Sequence, residues 1–260
     1  MGAAATKVTV LRLVVIGILA GVLSGLFGVG GGVIVVPALM MLVGIDQRRA
    51  SMTSSVAIAP ASLVGAVTYA MHGNLHVIAT ALLLAGSIVG SQFGVRLLRV
   101  MPGKFLPWLF IGFIVLVIGS LCFVAPPLRH GEIHLTVPGG AALVGMGLIA
   151  GILSGLVGVG GGVVVVPGFE ILLGASDLLA KGTSLAMMVP TSISSTVASL
   201  RGAGVDLRAG LIIGVTAAVL APAGVVAAGW LEPRAATVAF VVFLLTVAFS
   251  VLWQSRRRKA

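Results

Sequence analysis

Two glycine runs are the part of this sequence whose composition could bind a ligand. They span residues 28–32 and 158–162, and each holds four glycines in five positions. Glycine leaves backbone N–H groups accessible, and an apolar helix is predicted to begin after each run, at about Val33 and Val163. A helix N-terminus carries about half a positive charge and unpaired N–H donors. The runs therefore predict an anion-binding site, and close helix packing is the alternative interpretation.

Two prolines mark the next predicted helices, and hydroxyl side chains surround them. Pro60 and Pro190 each free the backbone carbonyl four residues earlier in the helix. The nearby hydroxyls are those of Thr53, Ser54, Ser55 and Ser62 in the first half, and of Thr183, Ser184, Thr191 and Ser192 in the second. Hydroxyls in membrane helices commonly bond to their own backbone, so a tolerated kink is the alternative to a shared polar cavity.

The candidate substrate-binding set combines these two features. It consists of Gly28, Gly30, Gly31, Gly32, Thr53, Ser54, Pro60, Gly158, Gly160, Gly161, Gly162, Thr183, Ser184 and Pro190. Glu170 lies within an apolar block, so it is a candidate for proton coupling unless its side chain reaches the membrane interface. No Lys-Ser or Lys-Thr follows the glycines, which excludes a P-loop. No catalytic set is visible, and we predict no cofactor, no metal site and no enzymatic reaction.

The glycine runs belong to a duplication that extends over the whole chain. Residues 21–37 and 151–167 match at 14 of 17 positions, with an offset of 130 residues. The same offset relates Pro60 to Pro190. We predict a first membrane repeat at 1–125, a polar linker at 126–137, a second membrane repeat at 138–255 and a basic tail at 256–260.

Composition places both repeats in a membrane. The chain is 59% hydrophobic and 8% charged, whereas a soluble domain carries roughly 25% charged residues. A surface this poor in charge is predicted to face lipid. The formal net charge of +10 comes from basic residues between apolar stretches and in the tail. This distribution indicates that the basic residues determine the orientation of the chain in the membrane. No nucleic-acid partner is expected.

Each repeat contains four apolar blocks. They span about 8–44, 52–70, 76–97 and 104–124 in the first repeat, and 138–174, 183–200, 207–229 and 235–253 in the second. A fully helical first block would be roughly 55 Å long, which exceeds a ~30 Å hydrocarbon core. The glycines therefore predict a helical hairpin. The fold class predicted is an all-α integral membrane protein with about eight transmembrane segments in two four-block repeats, the first block of each broken at a Gly-rich turn.

The distribution of basic residues favours the hairpin. If each first block returns to its starting side, 13 Lys and Arg residues lie inside, and only Arg129, Lys181 and Arg234 lie outside. Without the hairpin the split is 9 to 7. We therefore predict inverted repeats, as in many secondary transporters, with both termini cytoplasmic. Residues 8–27 look like a signal peptide, but they have an internal counterpart at 138–157, so we expect no cleavage.

The doubled motif resembles that of a known family. Each copy reads Gly-Leu-x-Gly-Val-Gly-Gly-Gly, with a proline five residues later and Thr-Ser further on. This pattern resembles the TauE/SafE family of membrane transporters over essentially the whole chain. The resemblance implies a multi-pass plasma-membrane protein linked to export of sulfite and organosulfonates, or to uptake of related sulfur anions. The family's motif residues fall on Gly28, Gly30 to Gly32 and Pro37, and on Gly158, Gly160 to Gly162 and Pro167.

Three functions remain open at this point. The leading prediction is a secondary transporter of a small anion, with sulfite, an organosulfonate or a related sulfur compound as substrate. The alternatives are a passive anion channel and a non-transporting membrane partner of another protein. The expected partners are the anion and the lipid bilayer, and the sequence leaves a homo-oligomer open.

Overall fold

Helices account for all regular secondary structure in the part of the chain that the computed structural model describes, which is residues 2–103, 105–123, 137–201 and 204–257. The first half contains α1 (Gly2–Phe27), α2 (Gly32–Ala38) with a following π-helical turn (Leu39–Val43), α3 (Gln47–Met71), α4 (Val77–Val100) and α5 (Leu106–Phe123). The second half contains α6 (Val137–Val157), α7 (Gly162–Leu173), α8 (Asp177–Leu200), α9 (Leu207–Trp230) and α10 (Pro233–Arg257). The all-α prediction is confirmed. The predicted linker, except its last residue, and residues 258–260 of the predicted tail lie outside the described ranges.

Six helices are long and apolar enough to cross a membrane, namely α1, α3, α4, α6, α9 and α10. The protein is therefore a multi-pass membrane protein. Helix α8 has 24 residues, but it carries Asp177, Lys181 and many hydroxyl side chains. Helix α5 has 18 residues. The count of eight transmembrane segments stays a prediction, because it depends on these two helices.

The chain turns back at both glycine runs. Arg12 Nη1 in α1 donates a hydrogen bond of 2.8 Å to the carbonyl oxygen of Leu42, beyond α2. Nearer the turn, Gly31 packs against Ala20 of α1. In the second half Gly161 packs in the same way against Ala150 of α6. The predicted break at a Gly-rich turn is confirmed, and each short helix runs antiparallel to the long helix before it.

Helices α3 and α8 begin before the predicted starts at residues 52 and 183, because polar residues cap them. The backbone N–H of Arg49 donates to Asp46 Oδ2 at 3.3 Å, and that of Leu179 donates to Ser176 Oγ at 3.3 Å. A side-chain acceptor at the N-cap satisfies an orphan donor of the first turn. This earlier start changes the place of Lys181. It was expected between two apolar blocks, on the outer side of the membrane, but it lies within α8 and is 3% exposed; its side of the membrane stays a prediction.

Close contacts between helices of different halves join the two halves. Helix α1 packs along α9, and Gly21 of α1 lies against the backbone of Ala217. Helix α6 packs along α4, and Gly151 lies against the backbone of Ser87. A Cβ at either glycine would collide with the facing carbonyl group. Small residues at such positions let two helix backbones approach closely in a membrane.

Helices α3 and α8 form the centre of the protein and run antiparallel to each other. Gly65 in α3 packs against Leu185 in α8, whereas Tyr69, one turn later in α3, packs against Gly182, one turn earlier in α8. Among the six candidate spans, α3 is the most buried. In α3, 72% of the apolar stretch is buried inside the protein, compared with 28% in α10. Most polar side chains of α3 and α8 are buried and therefore face protein and not lipid.

Candidate functional site

The two glycine turns contact each other across the halves. Gly32 lies against the carbonyl oxygen of Gly158, and Gly162 lies against that of Gly28. Positive φ angles occur at six glycines of the turns, namely Gly28, Gly30, Gly31, Gly158, Gly160 and Gly161. Residues with a Cβ rarely adopt this conformation, so the turns require glycine. The structure thus brings together all eight glycines of the predicted substrate-binding set.

A serine from each central helix binds the glycine turn of the other half. Ser54 Oγ in α3 donates to the carbonyl oxygen of Gly158 at 2.7 Å. Ser184 Oγ in α8 donates to that of Gly28 at 3.0 Å. Both serines are fully buried. These two predicted site residues therefore hold the turns in contact with α3 and α8.

The neighbouring threonines face other partners. Thr53 Oγ1 accepts a hydrogen bond of 3.2 Å from the backbone N–H of Asp206, which caps α9. Thr183 Oγ1 accepts one of 3.2 Å from the N–H of His76, which caps α4. Both threonines therefore fix the chain at the start of a helix.

The two prolines lie inside α3 and α8, as predicted. Pro60 is half-buried and packs against Gly214 of α9. Pro190 is also half-buried. The contact with α9 places Pro60 in a helix interface.

Two apolar side chains fill the space between the turns. The Met188 methyl group occupies the room that a side chain at Gly30 or Gly160 would need. Ile58 contacts the same two glycines. Ile58 and Met188 lie halfway along α3 and α8 and are buried. Neither residue was predicted from the sequence as part of the site. The 130-residue offset relates them, and each is an apolar residue in a segment rich in serine and threonine.

One serine beside the turns has a free hydroxyl. Ser62 is fully buried, and its Oγ has no hydrogen-bond partner among the described residues. It faces Gly30, at 3.1 Å from the place where a Cβ of that glycine would lie. Its counterpart in the second half, Ser192, donates to the carbonyl oxygen of Val189 at 2.9 Å. An unpaired buried hydroxyl is costly, so Ser62 is available to a ligand.

Backbone donors are available where the short helices begin. Ile34 and Val35 donate the first hydrogen bonds into α2, both to Gly31. Val164 and Val165 donate those into α7, both to Gly161. The N–H groups that precede them belong to the first turn and have no intrahelical acceptor. Both helices therefore begin at the turns, where their first N–H groups have no acceptor within the helix.

A charged cluster lies beside the first glycine turn. Lys181 Nζ is 2.7 Å from Asp177 Oδ2, and the two side chains are 3% and 11% exposed. The Glu170 carboxyl, at the end of α7, is half-buried and interacts with both residues. The stem of Lys181 packs directly against Gly28. Glu170 was predicted from the sequence, but Asp177 and Lys181 were not, because both lie between the predicted apolar blocks.

Among the described residues, no group of three His, Cys, Asp or Glu side chains comes together in a way that could hold a metal ion.

Comparison with known proteins identifies the family. The family model described as sulfite exporter TauE/SafE matches residues 2–121 and 143–260. The probable membrane transporter protein YunE of Bacillus subtilis is 29% identical over 211 residues, which cover 72% of this chain and 77% of that protein. YdhB of the same organism, also named a probable membrane transporter protein, is 26% identical over 198 residues, covering 75% of this chain and 80% of its own. The sulfite exporter TauE/SafE family protein 1 of Arabidopsis thaliana is 33% identical over 95 residues, which cover 36% of this chain and 21% of that protein. The chain belongs to the sulfite exporter TauE/SafE family of membrane transporters.

Proposed function

We propose that this chain is a secondary transporter of a small anion, with sulfite, an organosulfonate or a related sulfur compound as its substrate. The observation that carries the proposal is the contact between the two glycine turns halfway along α3 and α8. Membership of the TauE/SafE family supports the choice of sulfur compounds. The proposed binding residues are the glycines of both turns with Ser54, Ser62 and Ser184.

Neutral dipoles supply the attraction for the anion in this proposal. The helical stretches Gly32–Val43 and Gly162–Leu173 both begin at the turns, so the positive ends of their dipoles converge. The free hydroxyl of Ser62 adds a buried donor. An anion bound by N–H and O–H groups alone can leave again easily, because no full positive charge holds it in place.

The space between the turns supports a carrier over a passive channel. Met188 and Ile58 close this space, and both are buried. A channel needs a continuous open path for the ion across the membrane. A carrier instead keeps its binding site closed to at least one side and changes conformation during each transport cycle. Accelerated exchange of labelled substrate by unlabelled substrate on the opposite side of the membrane distinguishes the carrier from the channel.

We also propose that the two halves are inverted repeats in a plasma membrane, with both termini cytoplasmic. The antiparallel course of α3 and α8, which correspond by the 130-residue offset, supports the inversion. Helices α4 and α8 run in the same direction, since Ser87 bonds Thr191 and Ser91 bonds Ser194. This pattern is expected if each half makes an odd number of crossings.

Uptake of ³⁵S-sulfite into proteoliposomes tests the proposed function. We expect saturable uptake that competes with other sulfur anions. Ser62→Ala should raise the half-saturating concentration by roughly 10- to 100-fold without lowering the melting temperature, because Ser62 Oγ has no hydrogen-bond partner among the described residues. Loss of a hydrogen bond to a charged ligand weakens binding by about 1.5–3 kcal/mol.

Ser192→Ala is the matched control for this variant. It removes the equivalent hydroxyl of the second half, which already bonds to Val189, so its uptake should equal that of the natural sequence. Equal uptake by all three proteins would contradict the proposed role of Ser62. Absence of saturable uptake of sulfite, sulfate, thiosulfate, taurine and methanesulfonate would contradict the proposed function itself.

A further inference from the structure

The ion pair between Lys181 and Asp177 is unusual in its location. Both side chains belong to the first turns of α8 and are almost completely buried, at 3% and 11% exposure. Removing two charges from water costs several kcal/mol per ion, and their attraction rarely exceeds this cost by much. Ionisable side chains inside a membrane protein commonly take part in proton or ion transfer.

The first half demonstrates that the fold does not need these charges. The 130-residue offset relates Glu170, Asp177 and Lys181 to Met40, Gln47 and Ser51. Gln47 Nε2 donates to the carbonyl oxygen of Leu106 at 3.1 Å, and Ser51 Oγ donates to that of Val157 at 2.8 Å. The same place in the fold is therefore packed with neutral groups in one half and with three ionisable groups in the other.

The charged cluster is joined to the glycine turn by two contacts. The Lys181 stem packs against Gly28, and Ser184, in the next turn of α8, binds the Gly28 carbonyl oxygen. A change in the charge of the cluster therefore acts on the first turn of the proposed anion site.

A cavity that is open to the protein surface lies near the cluster. Its volume is about 220 Å³, and its lining includes Tyr69, His72, Leu178 and Trp230. Leu178 directly follows Asp177, and Tyr69 interacts electrostatically with the Asp177 carboxyl. His72 and Trp230 are exposed. The three charged side chains do not line the cavity, but it brings water close to the start of α8, where Asp177 lies.

We propose that Glu170, Asp177 and Lys181 form a proton-binding site that couples proton movement to transport of the anion. The cluster contains two carboxyl groups and one ammonium group, so its net charge is zero when one of the carboxyl groups is protonated. Release of that proton to water leaves one net negative charge beside Gly28, which repels an anion at the turns. The proton and the anion therefore bind together and cross in the same direction. The inference rests on the proposed function.

The other titratable groups around the site are Tyr69 of α3 and the histidines of the following loop, His72 and His76. Tyr69 is buried, and its hydroxyl donates to the carbonyl oxygen of Gly25 at 2.7 Å. The backbone N–H of His76 bonds Thr183, in the same part of α8. His72 is exposed and lines the cavity. These groups surround the cluster without an ion pair to it.

Transport of ³⁵S-methanesulfonate by the full chain in proteoliposomes tests the coupling, because this anion keeps one negative charge over the whole pH range used. One proton moving with one such anion is electroneutral. A gradient of one pH unit should therefore drive up to about tenfold accumulation, independent of membrane potential. Glu170→Gln should abolish this accumulation, leaving equal concentrations inside and outside, and should retain exchange of labelled for unlabelled anion.

Glu232→Gln, the same carboxyl-to-amide change at an exposed glutamate, is the control and should accumulate the anion normally. Accumulation by Glu170→Gln equal to that of the natural sequence would overturn the proposal. Exchange by the natural sequence without any response to a pH gradient would also overturn it, while leaving the proposed function intact.

Infrared titration of the purified protein in lipid tests the proposed proton-binding site without a transport assay. The natural sequence should show the band of a protonated carboxyl group that disappears as the pH is raised, and Glu170→Gln should lack that band. An identical band in both proteins would overturn the proposal even if no anion tested is transported.

Discussion

At the residue scale, Lys181 illustrates how a charge is tolerated in a membrane protein. Its ammonium group bonds Asp177 one turn earlier on the same helix, where the i and i+4 positions face the same side. The sequence alone indicated a loop here, because Asp177 and Lys181 interrupt the hydrophobic pattern. Only the packing of α7 and of the first glycine turn against α8 reveals that both residues are buried.

Removal of one charge should therefore harm the protein more than removal of both. We expect Lys181→Met to lower the free energy of unfolding by about 3–5 kcal/mol, because it leaves a buried carboxylate without its partner. The double variant Asp177→Asn with Lys181→Met should recover most of this loss. Denaturation of the purified protein in detergent measures both. Equal destabilisation by the single and double variants would contradict the uncompensated-charge explanation.

At the element scale, glycines perform two different tasks. Those in the turns adopt positive φ angles, whereas Gly21 and Gly151 lie in regular helices and allow close contact with a helix of the other half. The sequence predicted the turns, since a block of residues 8–44 is too long for one crossing. It did not predict which helices pair, because small residues face a partner that the hydrophobic pattern does not identify. It also missed Met188, since an apolar residue gives no signal that it contacts the turns.

A methyl group tests the close contact between α1 and α9. Gly21→Ala should destabilise the protein, because the new Cβ would collide with the backbone of Ala217. Gly112→Ala in α5 should instead stabilise it by up to about 1 kcal/mol, since alanine favours a helix and nothing lies near that position. Thermal unfolding of both variants in detergent measures the difference. The same change in melting temperature for both would contradict the close packing of α1 on α9.

At the scale of the whole molecule, the central question is how the two halves lie in the membrane. If they are inverted, the turn after α4 and the equivalent turn after α9 lie on opposite sides. Gly103 and Glu232 lie in these turns, and both are exposed. If both halves had the same orientation, the two turns would share one side.

Labelling of single cysteines distinguishes these arrangements. In a Cys122→Ala background, Gly103→Cys and Glu232→Cys should react with a membrane-impermeant maleimide from opposite sides of intact cells. Gly103→Cys should react only after the membrane is permeabilised, because the positive-inside rule assigns that turn to the cytoplasm. Reaction of both cysteines from outside would contradict the inversion.

The pairing of α1 with α9 also sets an order of events during synthesis. Helix α1 leaves the ribosome first, but the helix that covers its glycines is among the last to be made. The glycine face of α1 must therefore wait in lipid, or against an insertion factor, until nearly the whole chain has been translated. A chain truncated before α9 lacks that partner, so release of an incomplete chain yields a target for membrane proteases and not a smaller transporter.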